Sequence, residues 1–175
     1  MTSLVLTLLG PDRPGLVEAV AEVISAHGGS WLESRLVHLA GKFAGVLRAE
    51  VPEGKVAPVM EALARLEGRG LRVVAEVAAG APAAPERTMD LELVGLDRPG
   101  LVREISQLLA QHAVNVEELT TDRSSAPMSG EMLFRARARV HVPAGCDLPR
   151  LRSGLERLAS DLLVEIRLAE PTQEP

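Results

Sequence analysis

Apolar residues recur along this chain with two different periods, and the order in which those periods follow one another predicts its elements. Leu4 to Leu9 is a short β run that ends at Gly10. Leu16, Val17, Val20, Val23, Ile24 and His27 then share one face at helical spacing, while Glu18 and Glu22 fall off it. Gly28 and Gly29 stop that helix. Trp31 to Leu39 followed by Phe43 to Val51, broken at Ala40-Gly41, predicts a β-hairpin. Val56, Val59, Met60, Leu63 and Leu66 mark a second amphipathic helix ending near Gly68 and Gly70, before an alternating strand from Leu71 to Val77. The order is βαββαβ.

The same order returns in the second half, led by a repeated loop. Gly10-Pro11-Asp12-Arg13-Pro14-Gly15-Leu16-Val17 recurs as Gly95-Leu96-Asp97-Arg98-Pro99-Gly100-Leu101-Val102, an offset of 85 residues with seven of eight positions identical. At that offset Val20, Val23, Ile24 and His27 meet Ile105, Leu108, Leu109 and His112. The second copy starts with a strand from Met89 to Val94. Further strands are predicted near Asn115 to Arg123, Glu131 to Val142 and Leu163 to Leu168, with a helix on Leu148, Leu151, Leu155, Leu158 and Leu162. In one strand Met132, Phe134, Ala136, Ala138 and Val140 alternate with Leu133, Arg135, Arg137, Arg139 and His141. One face is therefore buried, and the other is a solvated, mostly basic row.

Gly80-Ala81-Pro82-Ala83-Ala84-Pro85 is rich in helix breakers and has no apolar period. The expected organisation is a domain over 1–79, a linker over 80–88, a domain over 89–170 and a disordered tail over 171–175. The fold class is α+β: two ferredoxin-like βαββαβ domains, each an antiparallel four-stranded sheet with both helices on one face. The other sheet face then needs a cover, which the tandem copies can supply by joining edge strands into one sheet or by stacking against another chain, and a homo-oligomer such as a dimer is expected.

Composition narrows the function. The balance of 46% hydrophobic and 25% charged residues is that of a globular protein. A net charge of -5 argues against neutralising phosphates, and 2% aromatic residues leave no platform for stacking bases, so no direct nucleic-acid contact is expected. One cysteine, Cys146, allows neither an internal disulfide nor a thiolate zinc site, which suits a reducing cytoplasm. No stretch approaches the roughly 18 apolar residues of a membrane span, and the run from Leu4 to Leu9 is too short for a signal segment.

The repeated loop is where chemistry can sit. Arg13 precedes a proline and avoids the α region, so the helix is expected to open at Pro14. The amides of Gly15, Leu16 and Val17 then lack intrahelical partners at the positive end of the dipole and can hold a carboxylate. Asp12 offers a partner for an ammonium, and Ser30 a further polar contact. Loop and helix together thus suit a zwitterionic amino acid. The alternative is that Asp12 caps the helix and the two glycines serve turn geometry.

A βαββαβ unit with G-x-D-R-P-G-L-V after its first strand and a polar residue opening its second resembles the ACT domain, in both copies. The run His27-Gly28-Gly29-Ser30-Trp31-Leu32-Glu33-Ser34-Arg35-Leu36 is similar to the glycine cleavage system transcriptional repressors, which are tandem ACT proteins. The resemblance implies amino-acid binding at an interface through the first loop and the residue opening the second strand, usually asparagine. Those positions are Asp12, Arg13, Gly15, Leu16 and Ser30 in the first copy, and Asp97, Arg98, Gly100, Leu101 and Asn115 in the second. Asn115 with Asp97 is expected to make the better site, because an amide can donate to a carboxylate and accept from an ammonium. The resemblance further implies a regulator with no DNA-binding domain, contacting a DNA-binding activator when glycine is scarce and released by glycine.

No catalytic set, metal site or cofactor is expected. His27, His38, His112 and His141 have no ligand at chelating spacing, and His27 and His112 fall where an imidazole complements a helix C-terminus. Cys146 lacks an activating histidine. Glu117 and Glu118, as strand neighbours, point to opposite faces. Ser124, Ser125 and Ser129 lie in a hairpin connection, Ser124 to Gly130, that is longer than Ala40-Gly41 and a place for partner contacts. A sensing regulator is therefore favoured over a scaffold without ligand, and both over an enzyme.

Overall fold

The computed structural model describes residues 1–79, 87–126 and 130–171. The expected linker lies outside these residues up to position 86, as do three residues of the Ser124 to Gly130 connection and all but the first of the expected disordered tail. The chain divides into two compact units, Met1–Pro82 and Ala83–Pro175.

The first unit consists of β1 (Thr2–Pro11), α1 (Leu16–Ala26), β2 (Ser30–Leu39), β3 (Lys42–Val51), α2 (Val56–Ala64) and β4 (Arg72–Val77). Its antiparallel sheet has the order β2-β3-β1-β4. Alternation along β1 and β3 puts Leu4, Leu6, Leu8, Leu47, Ala49 and Val51 on one face, each at most 1% exposed. Leu16, Ala19, Val20 and Ile24 of α1 and Val59 and Leu63 of α2 join the same core, so both helices cover that face. The hairpin turns on Ala40 and Gly41 at φ 49° and 75°, the left-handed pair that two-residue hairpins require. Helix α1 ends at Gly28, φ 74°, where Gly28 donates to the Ser25 carbonyl and Gly29 to that of Ile24, both at 2.9 Å.

Several boundaries differ from the sequence expectation; the strand that opens at Asn115, for one, runs on through Ser124 and Ser125, which pair with Leu133 and Met132 instead of lying in the connection. The helical spacing through Leu66 is real, but the α-helix stops at Ala64 and tightens into a 3-10 turn over Arg65–Arg69. That turn keeps Leu66 in the core, and the poor helix formers Gly68 and Gly70 prevent further α-helix. In the second unit Leu163, expected in the last strand, caps the preceding helix at φ 54° and is 84% exposed.

The second unit repeats the plan with β5 (Thr88–Leu96), α3 (Leu101–Gln111), β6 (Asn115–Ser125), β7 (Met132–His141), α4 (Leu148–Leu162) and β8 (Val164–Ala169), in sheet order β6-β7-β5-β8. Helix α4 starts on Asp147, whose side chain accepts from the Arg150 N–H at 3.0 Å. The repeat reaches irregularities as well: register slips between Trp31 and Glu33 in β2, and between Val116 and Glu118 in β6, at equivalent positions. Glu117 thus occupies a bulge, where simple alternation no longer sets it opposite Glu118. The expected basic row of β7 faces away from the helices, with Arg137 3.6 Å from Glu92 and Arg139 3.6 Å from Asp90.

Candidate functional site

The repeated loop has one backbone design in both units. Helix α1 opens at Leu16 rather than at Pro14, because Gly15 takes φ 88° and acts as the N-cap; Gly100 does the same for α3 at φ 97°. Neither cap has a side-chain hydrogen bond, so Asp12 does not cap α1. The first intrahelical donor is Ala19, to the Gly15 carbonyl at 3.0 Å, which makes Leu16, Val17 and Glu18 the amides at the open end. Gly10 and Gly95 serve packing instead. A Cβ at Gly10 would lie 2.7 Å from the Gly70 carbonyl oxygen, and one at Gly95 2.2 Å from Val164 Cγ1.

The residues singled out in the sequence do not converge within one unit. Ser30 pairs with Glu50, which pairs with Ser3 at the start of β1, whereas Asp12 follows the other end of β1. At about 3.3 Å per residue these positions lie roughly 30 Å apart along the sheet. Asn115, opposite His141 and Thr88, is separated from Asp97 in the same way.

Each loop aspartate instead faces a basic group at the same register of the neighbouring hairpin. Asp12 Oδ2 is 3.7 Å from His38 Nε2, and the Asp12 N–H donates to the Gly41 carbonyl at 2.9 Å. His38 Nε2 also accepts from the Gly41 N–H at 3.2 Å, which leaves it less suited to donate to Asp12. Its counterpart 85 residues on is Arg123, whose permanently charged guanidinium is bonded to the Asp97 carboxylate. Asp97 is thereby largely neutralised, and Asp12 is not.

Beside the α1 start the first unit has a cleft of about 290 Å³, between α1 and the turn leading into β4. Buried Leu16, Leu66 and Leu71 line its floor, and Arg13, Arg69, Glu18 and Glu22 its rim. Arg13 reaches the position where a Cβ on Gly70 would meet its Nη2 at 3.6 Å. Among the described residues, no ion pair satisfies any of these four charges. The cleft joins Arg13, Gly15 and Leu16 of the expected set to Glu18, Glu22 and Arg69, which sequence reasoning missed. Glu18 and Glu22 had only the signal of lying off the buried face, and Arg69 had none.

The second unit lacks these groups. Counterparts of Glu18 and Glu22 at the 85-residue offset are Arg103 and Gln107, and that of Ala19 is Glu104. Arg98 is 3.8 Å from Glu104, whose Oε1 would lie 3.4 Å from a Cβ on Gly100. A carboxylate of the unit itself thus lies beside the α3 start and is paired with the loop arginine; Glu18 Oε2 would stand 3.9 Å from a Cβ on Gly15 in the first unit, but without an ion pair among the described residues. Leu162 and Leu163, before β8, stand where the first unit has Arg69 and Gly70, before Leu71.

Other candidates have structural accounts. His27 Nδ1 is 2.7 Å from the Val23 carbonyl at the end of α1, and His112 holds the same position after α3. Burial raises the pKa of the Cys146 thiol above its ordinary value, and the Asp147 carboxylate raises it further, which disfavours the reactive thiolate. Among the described residues no group of three or more His, Cys, Asp or Glu could hold a metal, and no helix is long and apolar enough to cross a membrane.

Comparison with known proteins places this geometry. Residues 2–74 match the family model of the ACT domain. Over 162 residues the chain is 24% identical to the glycine cleavage system transcriptional repressor of Escherichia coli strain K12, covering 91% of this chain and 85% of that one. The crystal structure of an unknown protein from Galdieria sulphuraria superposes with a TM-score of 0.87 at 26% identity, over 98% of this chain and 99% of its own. A candidate glycine cleavage system transcriptional repressor superposes with a TM-score of 0.73 at 21% identity over 98% of each chain, a likeness of fold.

Proposed function

We propose that this tandem ACT-like chain is an amino-acid-sensing regulator, not an enzyme, and that its sensing site is the cleft beside α1 in the first unit. One observation carries the reading: two guanidiniums and two carboxylates rim an apolar-floored cleft with no ion pair among them. Arg13 and Arg69 suit a carboxylate, Glu18 and Glu22 an ammonium, and both charges of a free amino acid find a partner there. A volume of about 290 Å³ is at the small end for ligand sites, which suits a small metabolite. Likeness to the glycine cleavage repressor makes glycine the first ligand to test, and a DNA-binding activator protein the partner, in the cytoplasm. The net charge of -5 supports action through such a protein rather than on DNA. A ligand bridging α1 and the turn before β4 shifts the protein only if it binds one arrangement of those elements more tightly than another.

Calorimetric titration with glycine and the other amino acids tests this. One of them should bind with a dissociation constant in the micromolar to millimolar range, and Arg13→Ala and Arg69→Ala should each weaken it by about tenfold or more, the usual worth of a charge-assisted hydrogen bond. Binding by none of them, or unaltered affinity in both variants, would remove the reading.

A further inference from the structure

The outer faces of the two sheets, turned away from the helices, are built from different chemistry. In the first unit Leu9, Val37, Val46 and Val74 are 44–59% exposed there, with Val5, Thr7 and Ala44 among them by register. In the second the same face carries the pairs Asp90–Arg139 and Glu92–Arg137, a surface already satisfied in water. An aliphatic patch spanning four strands calls for a partner.

We infer that this face of the first unit is covered by the same face of a second copy of the chain, about a twofold axis that crosses the strands at Val46, Thr7 and Val74. These three residues form one row of the sheet. An axis along that row lays each strand over its own counterpart running the other way. Val5 then meets the second copy's Leu9, Glu76 meets its Arg72, and Glu50 meets its Lys42, each contact occurring twice by symmetry. Lys42, Glu50, Arg72 and Glu76 form no ion pair within the chain among the described residues, while Glu33 already holds Arg48 at 2.8 Å. The alternative twofold, along the strands, sets Glu33 against the second copy's Glu76 and leaves Lys42 and Glu50 facing Pro11 and Ser3. Charge thus selects the first axis. Arg35, in the same row on edge strand β2, meets the second copy's Arg35 at the rim, a like-charge contact that the long side chains relieve by extending into solvent, so the selection rests on the opposite-charge pairs that only this axis forms.

Size is consistent with a dimer. Three strands of ten residues and one of six, about 4.8 Å apart and rising about 3.3 Å per residue, give a face on the order of 570 Å² in projection. Accessible side-chain surface exceeds the projection, so the face approaches the roughly 800 Å² per partner of a standard interface. Because the patch is consumed by its own copy, association closes at two chains.

Sedimentation equilibrium of the full chain at micromolar concentrations tests this, with a dimer expected. Val46→Glu, which sets two carboxylates face to face at the axis, should give a monomer with unchanged circular dichroism, its melting temperature no longer dependent on protein concentration. Lys42→Glu should weaken the dimer about tenfold, and adding Glu50→Lys should restore it to within about threefold, because the reversed pairs attract again. Arg137→Glu in the second unit should leave the dimer intact. A monomeric parent chain, a dimer indifferent to Val46→Glu, no recovery in the reversed pair, or dissociation by Arg137→Glu would each overturn the assignment.

Discussion

At the scale of single residues, glycines that look alike in sequence do different work. Gly10 and Gly95 are the penultimate residues of their first strands, where the last strand of the sheet arrives, and it is closeness rather than backbone freedom that excludes a side chain. A Cβ on Gly95 would lie 2.2 Å from Val164 Cγ1, 2.8 Å from its Cβ and 3.1 Å from its Cα, so the clash involves parts of β8 that cannot rotate away. Gly15 has space around it but takes φ 88°, which an L side chain rarely adopts. Gly95→Ala is therefore expected to cost about 2–3 kcal/mol, the range of overpacking. Gly15→Ala is expected to cost about 1–2 kcal/mol from left-handed strain alone. Urea denaturation of the two variants checks the ranking, and an equal or reversed cost would show that β8 yields more easily than its packing implies. The loop motif thus recurs for two structural reasons before any ligand is considered.

At the scale of elements, periodicity and the repeat together located each α-helix and strand among the described residues, because each buries one face and that face has to be apolar at its own period, whereas the 3-10 turn over Glu53–Lys55 buries nothing and left no pattern. The misplaced helix ends share a cause: the α-helical count cannot show that the turn after Ala64 tightens to keep Leu66 buried, nor that Leu163 leaves the helix in a left-handed conformation. Helix starts were misjudged in a related way. Pro14 is compatible with a first helical turn, but Gly15 captures the cap position and moves the start to Leu16. Helices α1 and α3 consequently begin without a side-chain cap, whereas α4 relies on Asp147, bonded to the Arg150 N–H at 3.0 Å. Asp147→Ala should lower stability by about 1 kcal/mol. For a unit of this size that is a fall of about 4–8 °C in melting temperature, and Asp147→Asn, which keeps an acceptor oxygen, should recover most of it. The site was less legible than the fold. Arg13, Gly15 and Leu16 lie in the repeated motif, but Arg69 reaches the cleft only because β4 pairs with β1, a long-range fact that no local pattern carries.

At the scale of the whole molecule, the duplicated units are alike in fold but differ in charge in one direction. The first copy has Ala19 where the second has Glu104, and His38 where the second has Arg123. Both differences supply the second unit with an internal counter-charge, for Arg98 and for Asp97 respectively. Glu18, Glu22 and Arg69 have no charge-matched counterparts there, so the second unit repeats the fold with its loop charges paired among themselves. Asn115 lies level with Thr88, nine residues of strand from Asp97, so its amide cannot complete a site with that loop within the unit, and the unpaired charges of the first unit are the better candidates. The expected consequence is one ligand per chain and a local footprint. Hydrogen exchange with and without saturating amino acid should slow amides over 15–22 and 66–72 and leave 100–107 unchanged, since ligand binding adds stability only to openings that disrupt the site. Protection of both helix starts, or of the second alone, would mean that Glu104 and Arg123 yield to a ligand, and the two copies would then be working sites of different affinity.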